Sequence, residues 1–148
     1  MKVIFLDHQG VMYLKKHPYI GKLDYFDLEA IEVLNEIIKE TDVEIVVSSD
    51  WKLWVGLDKM KEFYLNQGIC KAPIDYTPKY EEYRLNELAK QRSVEILGWL
   101  DKNKDVTNWV SIDDLDMRSY LSNFVWVEKK TEGIKQEGLK KIILNYIK

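Results

Sequence analysis

The feature that most restricts the fold of this chain is a set of four short apolar runs that do not alternate. They read KVIFL (2–6), VEIVV (43–47), WVSI (109–112) and FVWV (124–127). A strand with one wet face shows a period of two. A continuous β-branched or aromatic run instead fits a strand covered on both faces, as in a parallel sheet.

Helical periodicity fills the gaps between these runs. From Leu28 the chain reads LEAIEVLNEIIKE, which puts Ala30, Leu34, Ile37 and Ile38 on one stripe behind Asp27 as N-cap. A second helix is expected over 57–67, from the spacing of Leu57, Met60, Phe63 and Tyr64, with Gly68 ending it. Ser93 reads as the cap of a third, VEILGWL. The fourth spans 137–147, with Leu139, Ile142, Ile143, Tyr146 and Ile147 on one face. Strands alternating with helices imply βαβ crossovers and a three-layer α/β sandwich around a mostly parallel sheet.

The 148 residues suit a single domain, 1–148, with no repeat, low-complexity tract or linker. The least regular stretch, 69–90, is expected to be a short insertion over the site. A net charge of −3 argues against non-specific coating of nucleic acid, yet leaves room for a locally positive site that takes small anions. Cys70 is the sole cysteine, so no intramolecular disulfide can form; it reads as inert. The apolar run before Asp7 is too short for a secretory core, and no run approaches the roughly 18 apolar residues of a membrane span. A cytoplasmic protein without membrane partners is expected.

Three of the four strand candidates run straight into small polar or acidic residues. Asp7 follows the first, Ser48 and Ser49 the second, and Asp113, Asp114 and Asp116 close the third. In a parallel sheet the carboxyl ends of the strands lie along one edge, where open α/β sheets bind ligands. Asp7, Ser48 and the Asp113/Asp114 pair are therefore expected to meet. Clustered carboxylates repel and raise one another's pKa, so such a site calls for a cation. His8 and His17 are the only histidines and no zinc spacing exists. Hard oxygen donors suit Mg²⁺, which keeps waters and bridges to phosphate.

The segments VIFLDHQGVM, EIVVSSDWK, DYTPKY…KQRSVEILGWL…WVSIDDLDM and TEGI, in this order, carry a family resemblance. The chain resembles a haloacid dehalogenase (HAD) superfamily phosphohydrolase with a minimal cap and a Rossmannoid sheet. More narrowly, it is similar to the small HAD domains of Swiss Army Knife RNA repair proteins, over nearly its whole length. The resemblance implies that Asp7 attacks phosphorus to give an aspartyl-phosphate. Ser48, and less so Ser49, would hydrogen-bond a phosphoryl oxygen. Arg92 or Lys90 would supply positive charge, with Arg92 preferred for its place just before the expected helix start. Asp113 and Asp114 would hold Mg²⁺ together with Asp7 and the backbone carbonyl of Gln9. The implied substrate carries a phosphate ester, on a small molecule or a nucleic-acid end. Trp51 and Trp54, directly after the serine run, are the expected substrate contacts, whereas Trp99, Trp109 and Trp126 read as core or rim packing.

Gln9 departs from the family pattern. The second aspartate of DxD protonates the leaving oxygen, and a carboxamide cannot do so. Losing a general acid–base group costs roughly 10²–10⁴-fold in rate, while the backbone carbonyl at position 9 is unaffected. The expectation is a slow phosphoryl hydrolase or transferase, with a catalytically impaired phosphate- or RNA-end-binding protein as the alternative. His8 is not expected to replace the acid, because adjacent residues at a strand end point to opposite faces.

Overall fold

A computed structural model describes residues 1–16, 21–80 and 87–148. His17 and the middle of the 69–90 segment lie outside the described residues. The strands are β1 (Lys2–Leu6), β2 (Glu44–Val47), β3 (Asp75–Tyr76), β4 (Asn108–Asp113) and β5 (Phe124–Trp126). The helices are α1 (Leu28–Thr41), α2 (Leu57–Asn66), α3 (Leu88–Lys102) and α4 (Leu139–Ile147). The strands form one sheet in the order β3-β2-β1-β4-β5 with every pairing parallel. The chain thus has the α/β architecture that its strand and helix patterning implies, with the Rossmannoid sheet that the family resemblance implies.

Strand parity explains the absence of alternation. Ile4, Leu6, Ile45, Val47, Val110 and Ile112 point to one face, where they pack with Leu34 and Ile38 of α1, Tyr64 of α2 and Ile143 of α4. Val3, Phe5 and Val46 point to the other, against Ile96 and Trp99 of α3. Both faces are dry, and each fully buried side chain of this size contributes about 1.5–3 kcal/mol. Phe5 meets Trp99 and Trp109 edge-on, at 5.5 and 5.8 Å between ring centroids.

Two expectations need correction. The 69–90 stretch is not only an insertion: Asp75 and Tyr76 pair with Val46 and Val47 as an edge strand. The helix α3 starts at Leu88, well before Ser93. Ser93 does not cap it, because its hydroxyl donates back to the Lys90 carbonyl at 2.6 Å, a bond made inside a helix. Arg92 therefore sits within the helix, on the face it shares with Glu95, Ile96 and Trp99. The cap expected of Asp27 does form, its carboxylate accepting from Ala30 N at 3.0 Å.

Candidate active site

The carboxyl ends of β1, β2 and β4 are stitched together by backbone hydrogen bonds. Ser48 N donates to the Leu6 carbonyl at 2.9 Å and Asp7 N to the Ile112 carbonyl at 3.2 Å. Leu6 pairs with Val47 and with Ile112, so Asp7, Ser48 and Asp113 continue in register. By parity all three turn toward the α3 face, and His8 turns away.

The turn after β1 is wound on one carbonyl: Val11, Met12 and Tyr13 all donate to His8 O, at 3.1, 2.8 and 2.8 Å. Gly10 has φ +80°, and a Cβ there would fall 2.5 Å from Asp114 Oδ2. Only glycine combines that backbone with so close an approach of the acidic loop.

Asp7, Asp113 and Asp114 each offer a carboxylate oxygen within 4.8 Å of the others. Asp7 and Asp113 are buried, at 3% and 0% exposure, while Asp114 opens toward solvent. Burial, then the charge of Asp113, holds the Asp7 pKa well above the carboxylate norm, with Arg92 pulling the other way. Burial likewise raises Asp113 despite Arg92. The Arg92 Nη1 lies 3.0 and 2.9 Å from the two oxygens of Asp113 and 3.4 Å from Asp7 Oδ1, and its Nη2 lies 3.3 Å from Asp50. Burial alone would lower the pKa of Arg92; the surrounding carboxylates more than reverse that.

Asp7, Gln9, Ser49, Asp50, Trp51, Leu88, Arg92, Asp114 and Leu115 line a cleft of about 150 Å³. Ser48 is buried and is not among the residues that line the cleft. Its hydroxyl oxygen is buried with no hydrogen-bond partner among the described residues, and a buried polar atom left so is a donor in want of an acceptor. Ser49 plays the capping role, accepting from Trp51 N at 3.2 Å at the head of a 3-10 turn, Asp50–Leu53.

The family model described as "HAD domain in Swiss Army Knife RNA repair proteins" matches residues 3–138. The chain belongs to that family. No curated protein and no solved structure matches it. Membership gives this HAD domain a phosphoryl-handling role, and an acidic cluster of Asp7, Asp113 and Asp114 is present.

Within the HAD domain the remaining expected residues separate cleanly. Gln9 is exposed at the cleft mouth. Lys90 is exposed and is not among the described residues lining the cleft, whereas Arg92 lines it and lies 3.4 Å from Asp7. Asp116 stands apart, engaged by Arg118 at 2.8 and 2.7 Å. Trp51 lines the cleft with one edge but is only 2% exposed. It stacks on Trp54 at 5.2 Å and meets Tyr13 and His8, so most of it is core. His8 is fully buried against the Tyr64 hydroxyl at 2.6 Å, and burial, with Arg92, lowers its pKa to about 3. A neutral imidazole on the far face is no proton donor to the cleft.

Sequence reasoning missed the buried pair of Lys52 and Glu95, 2.9 Å apart and 6% exposed on each side. Lys52 also donates to Thr77 Oγ1 at 2.9 Å, and Glu95 accepts from Tyr80 N at 3.0 Å. This ties the serine loop, the segment after β3 and the helix carrying Arg92 to one another. The available signal was Glu95 itself, a charge on the buried stripe one turn beyond Arg92.

Proposed function

We propose that this HAD domain is a Mg²⁺-assisted phosphoryl hydrolase or transferase that works through an aspartyl-phosphate on Asp7 and is slowed by Gln9. The observation that carries the proposal is the meeting of Asp7, Ser48, Arg92, Asp113 and Asp114 at one sheet edge, from four separate parts of the chain. The donor set fits the metal: hard carboxylate oxygens, clustered closely and only partly neutralised by one arginine. Asp7, Asp113 and Asp114 would hold it with the Gln9 carbonyl, and the bound ion supplies charge neutralisation for the phosphoryl oxygens.

The chain's own groups do the rest. The Asp7 carboxylate attacks phosphorus; its bond to phosphorus forms as the bond to the leaving oxygen breaks. Ser48 Oγ donates to a phosphoryl oxygen, and Ser49 and the Trp51 edge shape the rim. Arg92 favours the ionised form of Asp7 against the effect of burial and opposes the charge that builds up. Gln9 has no proton to give, so only esters whose leaving oxygen departs as an anion react readily. Water then cleaves the acyl phosphate, regenerating Asp7 and releasing phosphate.

A second reading, a phosphate- or RNA-end-binding protein without turnover, is favoured by one observation: a carboxamide stands at the cleft where the acid–base group belongs. Hydrolysis of a generic aryl phosphate tests between the two. The enzyme reading expects slow, Mg²⁺-dependent turnover that Asp7→Asn abolishes. Mg²⁺-dependent phosphate binding with no turnover establishes the second reading instead.

A further inference from the structure

The cleft holds about 150 Å³, room for a phosphoryl group and little more, since sites for whole small molecules run to roughly 300–1,000 Å³. It does not end there. Gln9 and Asp114 also border a second cavity of about 400 Å³. Leu14, Lys15 and Thr131 in turn carry that cavity into a third depression of about 290 Å³ that reaches Tyr25. The three lie side by side, each sharing lining residues with the next, in a line leading away from Asp7.

The charge of the second cavity runs against that of the protein, between a cleft that carries Asp7, Asp50 and Asp114 and a third depression bordered by Asp27. The chain as a whole is acidic, yet Lys15, Lys16 and Lys130 border the second cavity and Asp114 is the one carboxylate among its described lining residues. Lys130 is 3.9 Å from Asp114 and Lys15 is 3.1 Å from Asp24. Lys16 makes no ion pair among the described residues. At the far end Tyr25 is 70% exposed, an aromatic face presented to solvent at the exit from the lysines.

Resting on the phosphoryl site proposed above, we propose that this line of cavities is a binding groove for single-stranded nucleic acid. The terminal phosphate lies in the cleft, Lys15, Lys16 and Lys130 meet the following backbone phosphates, and Tyr25 stacks on a base. A row of cations ending in an exposed aromatic ring is the pattern that recognises repeating phosphates and flat bases without reading sequence. A phosphometabolite or phosphopeptide, with one phosphate, would leave the lysine row unused.

The test is fluorescence anisotropy of the whole chain in Mg²⁺ with a labelled single-stranded RNA octamer, carrying a 3′- or a 5′-terminal phosphate. Wild type should bind one of these at least tenfold more tightly than it binds inorganic phosphate, added as competitor. The double variant Lys15→Glu/Lys16→Glu should weaken binding at least tenfold and flatten the salt dependence by about 1.4 log units per log unit of salt, roughly 0.7 for each phosphate no longer neutralised. Tyr25→Ala should weaken binding severalfold with the salt slope unchanged. Lys141→Glu, on α4 and lining none of the three cavities, serves as the charge-matched control and should change nothing. Octamer binding no tighter than phosphate, or equally sensitive to Lys141→Glu, overturns the groove. The readout needs no turnover, so failure of the groove is distinguishable from failure of the chemistry at Asp7.

Discussion

Arg92 and Asp113 face each other as a buried pair, one guanidinium nitrogen lying 3.0 and 2.9 Å from both carboxylate oxygens. The same nitrogen lies 3.4 Å from Asp7. One cation therefore spans the first-strand acid and the late acidic loop, and it comes from the helix that packs over their face of the sheet.

Removing that cation should leave two buried carboxylates facing each other. Arg92→Met is expected to lower the unfolding free energy of the metal-free protein by about 3–5 kcal/mol, the usual consequence of breaking a buried ion pair from one side. Millimolar Mg²⁺ should restore a large part of the loss by supplying charge to the same acids. Urea titration with and without Mg²⁺ reads both effects. A loss below about 1 kcal/mol would mean that Arg92 does not neutralise the cluster.

Protonation of the acids should set the pH dependence of the metal effect. Asp7 and Asp113 have folded pKa values above their ordinary 3.8, because burial disfavours their charged forms. Their contribution to the metal-free fold is thus fully present below pH 3.8 and is lost as pH rises through the folded values. A bound cation needs the ionised forms, so Mg²⁺ should stabilise the protein more at pH 8 than at pH 5. His8 acts in the opposite direction: with a folded pKa of about 3 against 6.5, it costs stability as pH falls below 6.5. That cost is present with or without metal, and the difference between paired melts removes it. A Mg²⁺ shift that stays constant from pH 5 to pH 8 contradicts this assignment.

Gln9 sits exposed at the cleft mouth, so a carboxylate there needs no repacking. Gln9→Asp should raise Mg²⁺-dependent hydrolysis of a generic aryl phosphate at least tenfold, within the roughly 10²–10⁴-fold range of one acid–base group. Steady-state kinetics checks this. The absence of any gain would locate the impairment elsewhere in the site.

Much of this arrangement was legible in the chain because strand parity is a strong constraint. Once KVIFL, VEIVV and WVSI were read as doubly buried parallel strands, Asp7, Ser48 and Asp113 had to meet on one edge. The edge strand Asp75–Tyr76 escaped because two residues carry no periodicity. The start of α3 was misplaced because LAKQRS shows no clear apolar stripe, and Ser93 mimicked a cap while bonding inside the helix. Trp51 was expected at the substrate and is mostly core, since its position after the serines said nothing about the aromatic cluster waiting beneath it. Of the Lys52–Glu95 pair only Glu95, a charge on a buried stripe, was a signal; its partner 43 residues away has no local signature.

The claim on which the account rests is that Asp7 accepts a phosphoryl group beside a divalent cation, and trapping with beryllium fluoride and Mg²⁺ tests it most directly. The wild-type chain should melt about 5–10 °C higher with both present, as expected for a ligand near a hundredfold excess over its dissociation constant, and Asp7→Asn should show none of that rise. An equal shift in the two proteins, or no shift in the wild type, would contradict it.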